Sequence, residues 1–295
     1  MTPPRVSVIL PAFNRATTVA EAVRSVLDQD FSEIEVIVVD DASTDGTWDT
    51  VAAINDPRLS LIANTAGKGA SSARNHGVAH ARAPWIAFQD SDDLWLPGKL
   101  SAQMRRLEGS DFVASYCGML VKADAHPGTP VTARIPDRSL SPLHGHILPS
   151  LVRGSCLSTQ LLVLRRDVFD RVGGFDETLP ALEDWELMLR IAAEGPVDFV
   201  DADLVIQRMS PNSMTRSHPN RLVAQEMILK RHAALIDRHP GARAHHHHRL
   251  ASAHRRAGAL PQAAAHAARA WRQSPANPRY LINALLLGLR ARAKA

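Results

Sequence analysis

Residues 34–46, IEVIVVDDASTDG, decide the fold. Five of the first six residues are β-branched and apolar, which is typical of a strand buried on both faces of a sheet. Two aspartates and a Ser-Thr-Asp-Gly turn follow at once. Ser43 or Asp45 can cap a helix that begins near Gly46. The segment therefore predicts a buried strand, an acidic loop and a helix in direct succession.

The same succession is repeated on both sides of this segment. Strands are predicted at 6–10, 59–62 and 85–88 in addition to 34–39, and helices at 17–29, 46–54 and 71–81. This alternation predicts βαβ units, that is, an α/β fold with a Rossmann-type, mostly parallel sheet flanked by helices. Ligands of such sheets bind beyond the carboxyl ends of the strands. The residues that follow each strand are therefore the candidate functional residues.

Charge divides the chain into two parts. Residues 1–220 carry 20 basic and 28 acidic side chains, a net charge of −8, whereas residues 221–295 carry 14 and 2, a net charge of +12. We expect an α/β domain over 1–220 and a basic, all-helical region over 221–295. The spacing of one tetratricopeptide-like helical pair is matched by Leu250, Ala251, Gly258, Ala263, Ala270 and Pro275. A plain helical hairpin is the alternative.

The basic region predicts contact with an anionic membrane surface or a protein partner. Nucleic acid is not expected, because Trp271 and Tyr280 are the only aromatic residues there. The run His245–His248 does not predict a metal site, since consecutive helical positions point around the axis. No apolar run approaches the roughly 20 residues that span a bilayer. With only Cys117 and Cys156 for thiols, we expect a cytoplasmic protein, peripheral at the inner face of the membrane.

Two acidic segments, 40–45 and 90–93, directly follow predicted strands. Each segment alone is explained by a turn and a helix cap, but together they place repelling carboxylates at one edge of the sheet. Carboxylate oxygens suit a hard divalent cation such as Mn²⁺ or Mg²⁺. A dehydrogenase is excluded because no Gly-x-Gly-x-x-Gly follows the first strand, and no P-loop sequence occurs. The pattern therefore favours a cation-assisted reaction of a phosphorylated substrate.

Six segments, in this order and spacing, resemble family 2 glycosyltransferases of the GT-A fold. They are 6–14 VSVILPAFN, 38–47 VVDDASTDGT, 69–77 GASSARNHG, 88–95 FQDSDDLW, 173–176 GGFD and 182–187 LEDWEL. The resemblance implies an inverting transferase that moves a sugar from a nucleotide-diphosphate sugar, with a UDP-sugar expected, to a hydroxyl acceptor. It implies a saccharide or lipid-linked acceptor and a role in cell-surface polysaccharide or glycoconjugate synthesis.

The resemblance also implies roles for individual residues. Asp41 would accept a hydrogen bond from the nucleotide base, Phe13 would cover the base, Pro11 would shape the same loop and Arg74 would face the nucleotide. Asp90 and Asp92 match the Asp-x-Asp (DXD) motif, and either Asp92 or Asp93 would bind the metal directly. Asp184 matches the general base. The donor or acceptor sugar would pack near Gly154, Ser155, Glu183 and Trp185.

Three features qualify this interpretation. Acidic residues at 183, 184 and 186 begin an apolar-periodic helix, and their alternative explanation is the helix dipole. Ser210 stands where many family members carry a histidine, which puts a histidine ligand from that loop in doubt. Rival functions are a nucleotidyltransferase, or a non-catalytic scaffold whose transferase body is vestigial.

Overall fold

The computed structural model describes residues 2–126, 128–139, 141–209 and 218–293, with only the backbone of His218. Its described residues form two compact units. The first unit contains residues 2–151, 155–178 and 183–209, and the second contains 152–154, 179–182 and 218–293. Each unit is taken by itself below.

The first unit is built on a nine-stranded mixed sheet. Its strands are β1 (Val6–Ala12), β2 (Ile34–Asp40), β3 (Leu59–Ala63), β4 (Trp85–Phe88), β5 (Leu94–Trp95), β6 (Ala114–Lys122), β7 (Val131–Ile135), β8 (Leu162–Arg165) and β9 (Val197–Arg208). The spatial order is β3-β2-β1-β4-β8-β6-β9-β5, and β7 pairs with β6 beside this path. The expected α/β sheet is therefore confirmed.

Seven helices belong to the first unit. They are α1 (Val19–Leu27), α2 (Thr47–Ala52), α3 (Ala70–His80), α4 (Lys99–Leu107), α5 (Leu148–Leu151), α6 (Arg166–Val172) and α7 (Glu183–Glu194). Close helix–sheet packing is visible at Gly77 of α3. A Cβ atom there would lie 2.5 Å from the Ile9 side chain and 3.0 Å from Val39. Only glycine lets α3 approach β1 and β2 this closely.

Strands β1 to β4 pair in parallel, as the alternating pattern predicts. Both β1 and β2 are buried at every position, which explains their uninterrupted apolar sequences. Parallel pairing brings the carboxyl ends of these strands to one edge. The loops after β1, β2 and β4 therefore start side by side.

The remaining strands make four antiparallel pairings that the sequence analysis did not anticipate. Strand β8 runs antiparallel to both β4 and β6, β7 runs antiparallel to β6, and β5 runs antiparallel to β9. The two longest strands, β6 and β9, again pair in parallel. Parallel geometry thus dominates the half of the sheet that holds the acidic loops.

The second unit is helical in its described C-terminal part. It contains α8 (His218–Arg231), α9 (Ala233–Asp237), α10 (Ala242–Arg256), α11 (Leu260–Gln273) and α12 (Pro278–Arg292). Helices α10 and α11 are joined by a short turn in which Gly258 has φ +77°. A small core forms from Ala251, Ala263, Ala267 and Leu287. A plain hairpin and a tetratricopeptide-like pair share this arrangement, so the repeat stays a prediction.

Candidate active site

The loop after β2 is organised around the carboxylate of Asp41. One oxygen of Asp41 accepts a hydrogen bond from Asn64 Nδ2 at 2.7 Å, and the other accepts from the backbone N–H of Gly69, also at 2.7 Å. The backbone N–H of Asp41 donates to Ala12 O at the end of β1. Asp41 is half-buried, so its carboxylate is fixed in place yet reachable from solvent.

Hydrogen bonds connect the loops after β1 and β2. The backbone N–H of Asn14 donates to Ser43 Oγ, and the backbone N–H of Thr44 donates to Asn14 Oδ1 at 2.8 Å. Pro11 is buried within β1, whereas the Phe13 side chain is 53% exposed. A large aromatic ring left in solvent beside a rigid acidic loop offers a flat apolar surface for a ligand.

The loop after β4 carries the carboxylate cluster, which we define as Asp90, Asp92 and Asp93. It is tied to the neighbouring loop by Thr18, whose hydroxyl donates to Ser91 O at 3.0 Å, and by Arg15, whose Nε lies 3.4 Å from Asp92 Oδ2. The loops that follow β1, β2 and β4 therefore form one connected rim.

Arg74 joins this rim to the start of α7. Its guanidinium donates to Asp90 Oδ1 at 2.7 Å and to Glu183 Oε1 at 3.3 Å, and it lies over the ring of Phe175. Burial opposes the charge of Arg74, but the carboxylates of Asp90 and Glu183 raise its pKa above the usual value. Arg74 is therefore a buried, permanently charged link between the Asp-x-Asp and Glu-Asp segments.

Asp92 and Asp93 have different surroundings although they are adjacent in sequence. Burial, followed by the negative charge of Asp90, raises the pKa of Asp92, and Arg15 opposes this shift. Asp93 is only 2% exposed, and both of its oxygens accept hydrogen bonds, from Gln160 Nε2 at 2.8 Å and from the backbone N–H of Arg208 at 2.9 Å. Burial and the two neighbouring carboxylates raise the pKa of Asp93 well above its usual range.

Asp184 lies in the first turn of α7, directly after Glu183. Its Oδ1 accepts a hydrogen bond from the backbone N–H of Trp185 at 2.7 Å. The Trp185 ring is buried, and its indole N–H donates to Leu151 O at 2.7 Å, which anchors the start of the helix. Because Arg74 holds Glu183 beside Asp90, the segment that carries Asp184 reaches the same rim as the carboxylate cluster.

The two residues at 154 and 155 fall in different units. Ser155 of the first unit is exposed, and its hydroxyl donates to Leu157 O at 2.9 Å. Gly154 belongs to the second unit, where a guanidinium nitrogen of Arg249 lies 2.7 Å from the position that a Cβ of Gly154 would take. Their assignment to a sugar site stays a prediction. Ser210 lies outside the described residues.

Several residues of the site had no individual role assigned from the sequence. Asn64 and Gly69 hold Asp41, Arg15 contacts Asp92, and Gln160 contacts Asp93. All four lie at least 23 positions along the chain from the carboxylate that they contact, so no local pattern indicates these contacts. Arg15 directly follows the first predicted strand, so its position at the rim could have been inferred from the sheet.

The match to family models decides the family. Residues 7–172 match the model of Glycosyl transferase family 2, and residues 150–227 match Glycosyltransferase like family 2. The chain belongs to glycosyl transferase family 2. The expectation of a nucleotide-sugar glycosyltransferase is confirmed, and the rim just described lies within the matched region.

Two curated relatives of this glycosyltransferase have informative names. Over 229 residues it is 31% identical to UDP-Glc:alpha-D-GlcNAc-diphosphoundecaprenol beta-1,3-glucosyltransferase WfaP of Escherichia coli, covering 76% of this chain and 85% of that protein. Over 107 residues it is 43% identical to succinoglycan biosynthesis protein ExoO of Rhizobium meliloti, covering 36% of this chain and 31% of that protein.

Two solved structures share the fold of this glycosyltransferase. One is S. aureus TarS 1-349 in complex with UDP-GlcNAc, with a TM-score of 0.68, 20% identity and coverage of 91% of this chain and 81% of that one. The other is mannosyltransferase PcManGT from Pyrobaculum calidifontis in complex with GDP-Man and Mn2+, with a TM-score of 0.64, 23% identity and coverage of 99% and 81%. The expected GT-A-like architecture is confirmed.

Proposed function

We propose that this glycosyltransferase moves a sugar from a UDP-sugar to a hydroxyl group of a saccharide or lipid-linked acceptor, with inversion at the anomeric carbon. The observation that carries the proposal is the pair of bonds from buried Arg74 to Asp90 and Glu183. These bonds join the segment suited to a cation with the segment that supplies a base. A nucleoside diphosphate and an acceptor hydroxyl can therefore meet at one rim.

The nucleoside part of the donor would bind at the loops after β1 and β2. Asp41 has a carboxylate that two hydrogen bonds hold in one orientation, which suits it to accept an N–H of a base. The exposed ring of Phe13 would cover the face of the base. Pro11 would support the same loop from within β1.

The residues present fit a divalent cation such as Mn²⁺ or Mg²⁺. Burial, followed by the negative charge of Asp90, raises the pKa of Asp92, and a bound cation would relieve both effects. Asp92 suits a ligand better than Asp93, because both Asp93 oxygens already accept hydrogen bonds. Asp90 would share the cation with Asp92. When bound, the cation would neutralise charge that develops on the departing diphosphate.

Asp184 would take the proton of the acceptor hydroxyl as that oxygen attacks the anomeric carbon. Its carboxylate lies at the start of α7, where a hydrogen bond from Trp185 N orients one oxygen. Attack on the face opposite the diphosphate breaks the sugar–phosphate bond and inverts the anomeric centre. Placing the sugar beside Glu183 and Ser155 of the first unit would align it for this attack.

We place the acceptor among the intermediates of polysaccharide synthesis, because the names of WfaP and ExoO point to a lipid diphosphate-linked acceptor and to succinoglycan. None of the described helices is both long and apolar enough to cross a bilayer. A lipid-linked acceptor is met at a membrane surface. This supports a peripheral position at the inner face of the membrane.

Helix α12 supplies a surface for that contact. Ile282, Leu285, Leu286 and Leu289 are each more than half exposed and repeat at the spacing of one helix face. The helix also carries Arg279, Arg290 and Arg292, and residues 221–295 have a net charge of +12. An apolar helix face within a strongly basic region is typical of interfacial binding to anionic lipid.

Binding and product analysis test the transferase proposal. UDP with Mn²⁺ should raise the melting temperature of the protein, and UDP without metal should raise it less. Asp41→Asn should weaken the UDP effect, whereas Asp49→Asn, an exposed aspartate of α2, should not. The reaction should release UDP from a UDP-sugar. Pyrophosphate as the product would assign a nucleotidyltransferase, and the absence of a shift with any nucleotide would favour a scaffold.

Sedimentation with lipid vesicles tests the membrane contact. The protein should bind vesicles that contain anionic lipid, and binding should weaken with salt. The double variant with Leu285→Ser and Leu289→Ser should lose most of its binding to these vesicles. A matched control is Ala293→Ser, which adds a hydroxyl group just beyond the end of α12. Equal binding to neutral and anionic vesicles would contradict the electrostatic part of the proposal.

A further inference from the structure

Three helices of the second unit converge on a small group of ligand-type side chains. Glu226 of α8, His254 of α10 and His266 of α11 place one carboxylate oxygen and two imidazole nitrogens within 4.8 Å of one another. Glu226 Oε1 lies 2.9 Å from His254 Nε2 and 3.4 Å from His266 Nε2. We call these three residues the helix-junction cluster.

The two histidines are buried and their rings are stacked, whereas Glu226 is exposed. His254 and His266 are 8% and 7% exposed, and their ring centroids lie 5.2 Å apart. Burial, followed by the charges of His254 and Arg269, lowers the pKa of His266, although Glu226 opposes this shift. Both histidines therefore direct their Nε2 atoms to one carboxylate oxygen from buried positions.

A third histidine, His247, orients His266. His247 Nδ1 lies 3.1 Å from His266 Nδ1, so one of these nitrogens donates and the other accepts. If His266 Nδ1 donates its proton, His266 Nε2 is left unprotonated and faces Glu226. Metal-binding histidines in proteins characteristically donate their second ring N–H to an acceptor, usually a carboxylate, a backbone carbonyl or water, and His247 Nδ1 would take that place here. His247 belongs to the run at 245–248, so one member of that run takes part through a contact between helices.

The placement of the carboxylate is informative because carboxylates are rare in this region. Residues 221–295 contain only two acidic side chains, Glu226 and Asp237. One of the two lies between a pair of buried imidazoles instead of facing one of the many arginines. A carboxylate and two imidazoles form a donor set of the kind that binds Zn²⁺.

We propose that Glu226, His254 and His266 bind a Zn²⁺-type ion, with a water molecule as the fourth ligand, and that this ion fixes α8, α10 and α11 to one another. Zinc–ligand bonds of 2.0–2.1 Å in a tetrahedron place neighbouring ligand atoms about 3.3 Å apart. The two oxygen–nitrogen distances of 2.9 and 3.4 Å bracket that spacing. Exposed Glu226 gives the ion a route from solvent.

This site would differ from the cation site of the transferase rim in the ions that it selects. The rim offers carboxylate oxygens, which suit Mg²⁺ and Mn²⁺, whereas imidazoles favour Zn²⁺ and Co²⁺. Its role would also be structural, because its ligands come from three helices and none belongs to the carboxylate cluster. Loss of the ion is therefore expected to loosen the second unit.

Co²⁺ titration of the full chain, purified without a histidine tag and treated with chelator, tests the proposal. One equivalent of Co²⁺ should produce the visible absorption bands of a tetrahedral nitrogen–oxygen site, and Zn²⁺ should displace it. His254→Asn and His266→Asn should each weaken Co²⁺ binding by more than about 100-fold, and His247→Ala by about 10–100-fold. Circular dichroism in the presence of chelator checks that each variant is folded.

Two controls separate this site from other metal-binding groups. His245→Asn changes a histidine of α10 outside the cluster, and Asp92→Asn changes the rim; both should leave the Co²⁺ spectrum unchanged. Loss of binding in His245→Asn equal to that in His266→Asn would move the ion to the histidine run and overturn the proposal. If folded His254→Asn and His266→Asn bind Co²⁺ as tightly as the unchanged protein does, the cluster is only an ion pair and the proposal is wrong.

Discussion

The carboxylate cluster of the first unit and the histidines of the second unit respond to burial in opposite directions. Burial raises the pKa of Asp92 and Asp93, and it lowers the pKa of His246 and His247, each to about 4. The physical cause is the same, because a low-dielectric environment disfavours the charged form of either group. The buried groups are carboxylates in the first unit and imidazoles in the second, and these two kinds of group suit different ligands.

The comparison indicates which ligands each unit suits. Crowded carboxylates remain partly accessible at the rim, and a hard cation relieves their repulsion while leaving room for phosphate oxygens. Neutral buried imidazoles need no counter-charge, and they are preorganised for an ion of borderline softness. Labile metal chemistry is therefore expected in the first unit, and a more permanent, structural ion in the second.

The largest expected effect is a loss of turnover, and it tests whether residues of the first unit alone carry out the transfer. Asp184→Asn should reduce turnover by about 10²–10⁴-fold, because general-base assistance is lost while the shape of the side chain is kept. The binding of UDP and Mn²⁺, monitored by thermal melting, should change little. Steady-state kinetics with a UDP-sugar would measure the effect.

Glu194→Gln provides a matched control for Asp184→Asn. Glu194 lies at the other end of α7, where it pairs with Arg171 on the surface. Its replacement should leave turnover intact. Near-normal transfer by Asp184→Asn would remove Asp184 from the role of base and would require another carboxylate at the rim.

The parallel part of the first unit, β1 to β4 with α1 to α3, was predictable from sequence because its signals are local. The boundaries of β4 agree with the sequence-based prediction at both ends, and those of β1, β2 and β3 extend it by one or two residues. The acidic loops follow from the parallel arrangement of these strands. Five strands were not predicted: short β5 and β7 carry no comparable apolar run, and β6, β8 and β9 lie beyond the βαβ alternation on which the prediction rested.

Contacts between distant segments were not predictable in the same way. The bond from Arg74 to Glu183 spans 109 positions, and its partner from Arg74 to Asp90 spans 16. In the second unit, Glu226 and His266 are brought together only by the packing of α8 and α11. Periodicity identifies a buried helix face, but it does not say which residue of another helix meets it.

The second prediction separates two neighbours within the carboxylate cluster. Asp93→Asn should lower the free energy of unfolding by about 2 kcal/mol, because an amide NH₂ group would face one of the two donors, Gln160 Nε2 or Arg208 N–H. Asp92→Asn should leave stability unchanged or slightly raised, since it removes a repelling charge. Urea denaturation without metal measures both.

Metal titration completes this prediction. Asp92→Asn should lose the stabilisation that Mn²⁺ gives in the presence of UDP, whereas the folded fraction of Asp93→Asn should retain it. The reverse result, with Mn²⁺ binding lost only in Asp93→Asn, would make Asp93 the direct ligand. It would also mean that the Asp93 hydrogen bonds rearrange when the cation binds.

The smallest expected effect is a pH response of opposite sign in the two units. Between pH 6.5 and about 4 the unfolded chain binds protons at His246 and His247 that the folded second unit does not. The second unit should therefore lose stability as the pH falls from 7 to 5, because protons then bind preferentially to the unfolded chain. Asp93 has a folded pKa above its unfolded value, so its contribution to stability increases as the pH falls.

Hydrogen exchange resolved by peptide measures this contrast, after correction for intrinsic exchange rates. Backbone amides of α10 should exchange faster at pH 5 than at pH 7, because the helix opens more often, whereas those of β1 and β2 should not. His246→Gln keeps a donor for Val152 O, which His246 Nε2 contacts at 2.7 Å, but does not titrate. In this variant, the exchange of α10 amides should depend less on pH. An equal pH response in both units would show that burial of these side chains does not set the pH dependence.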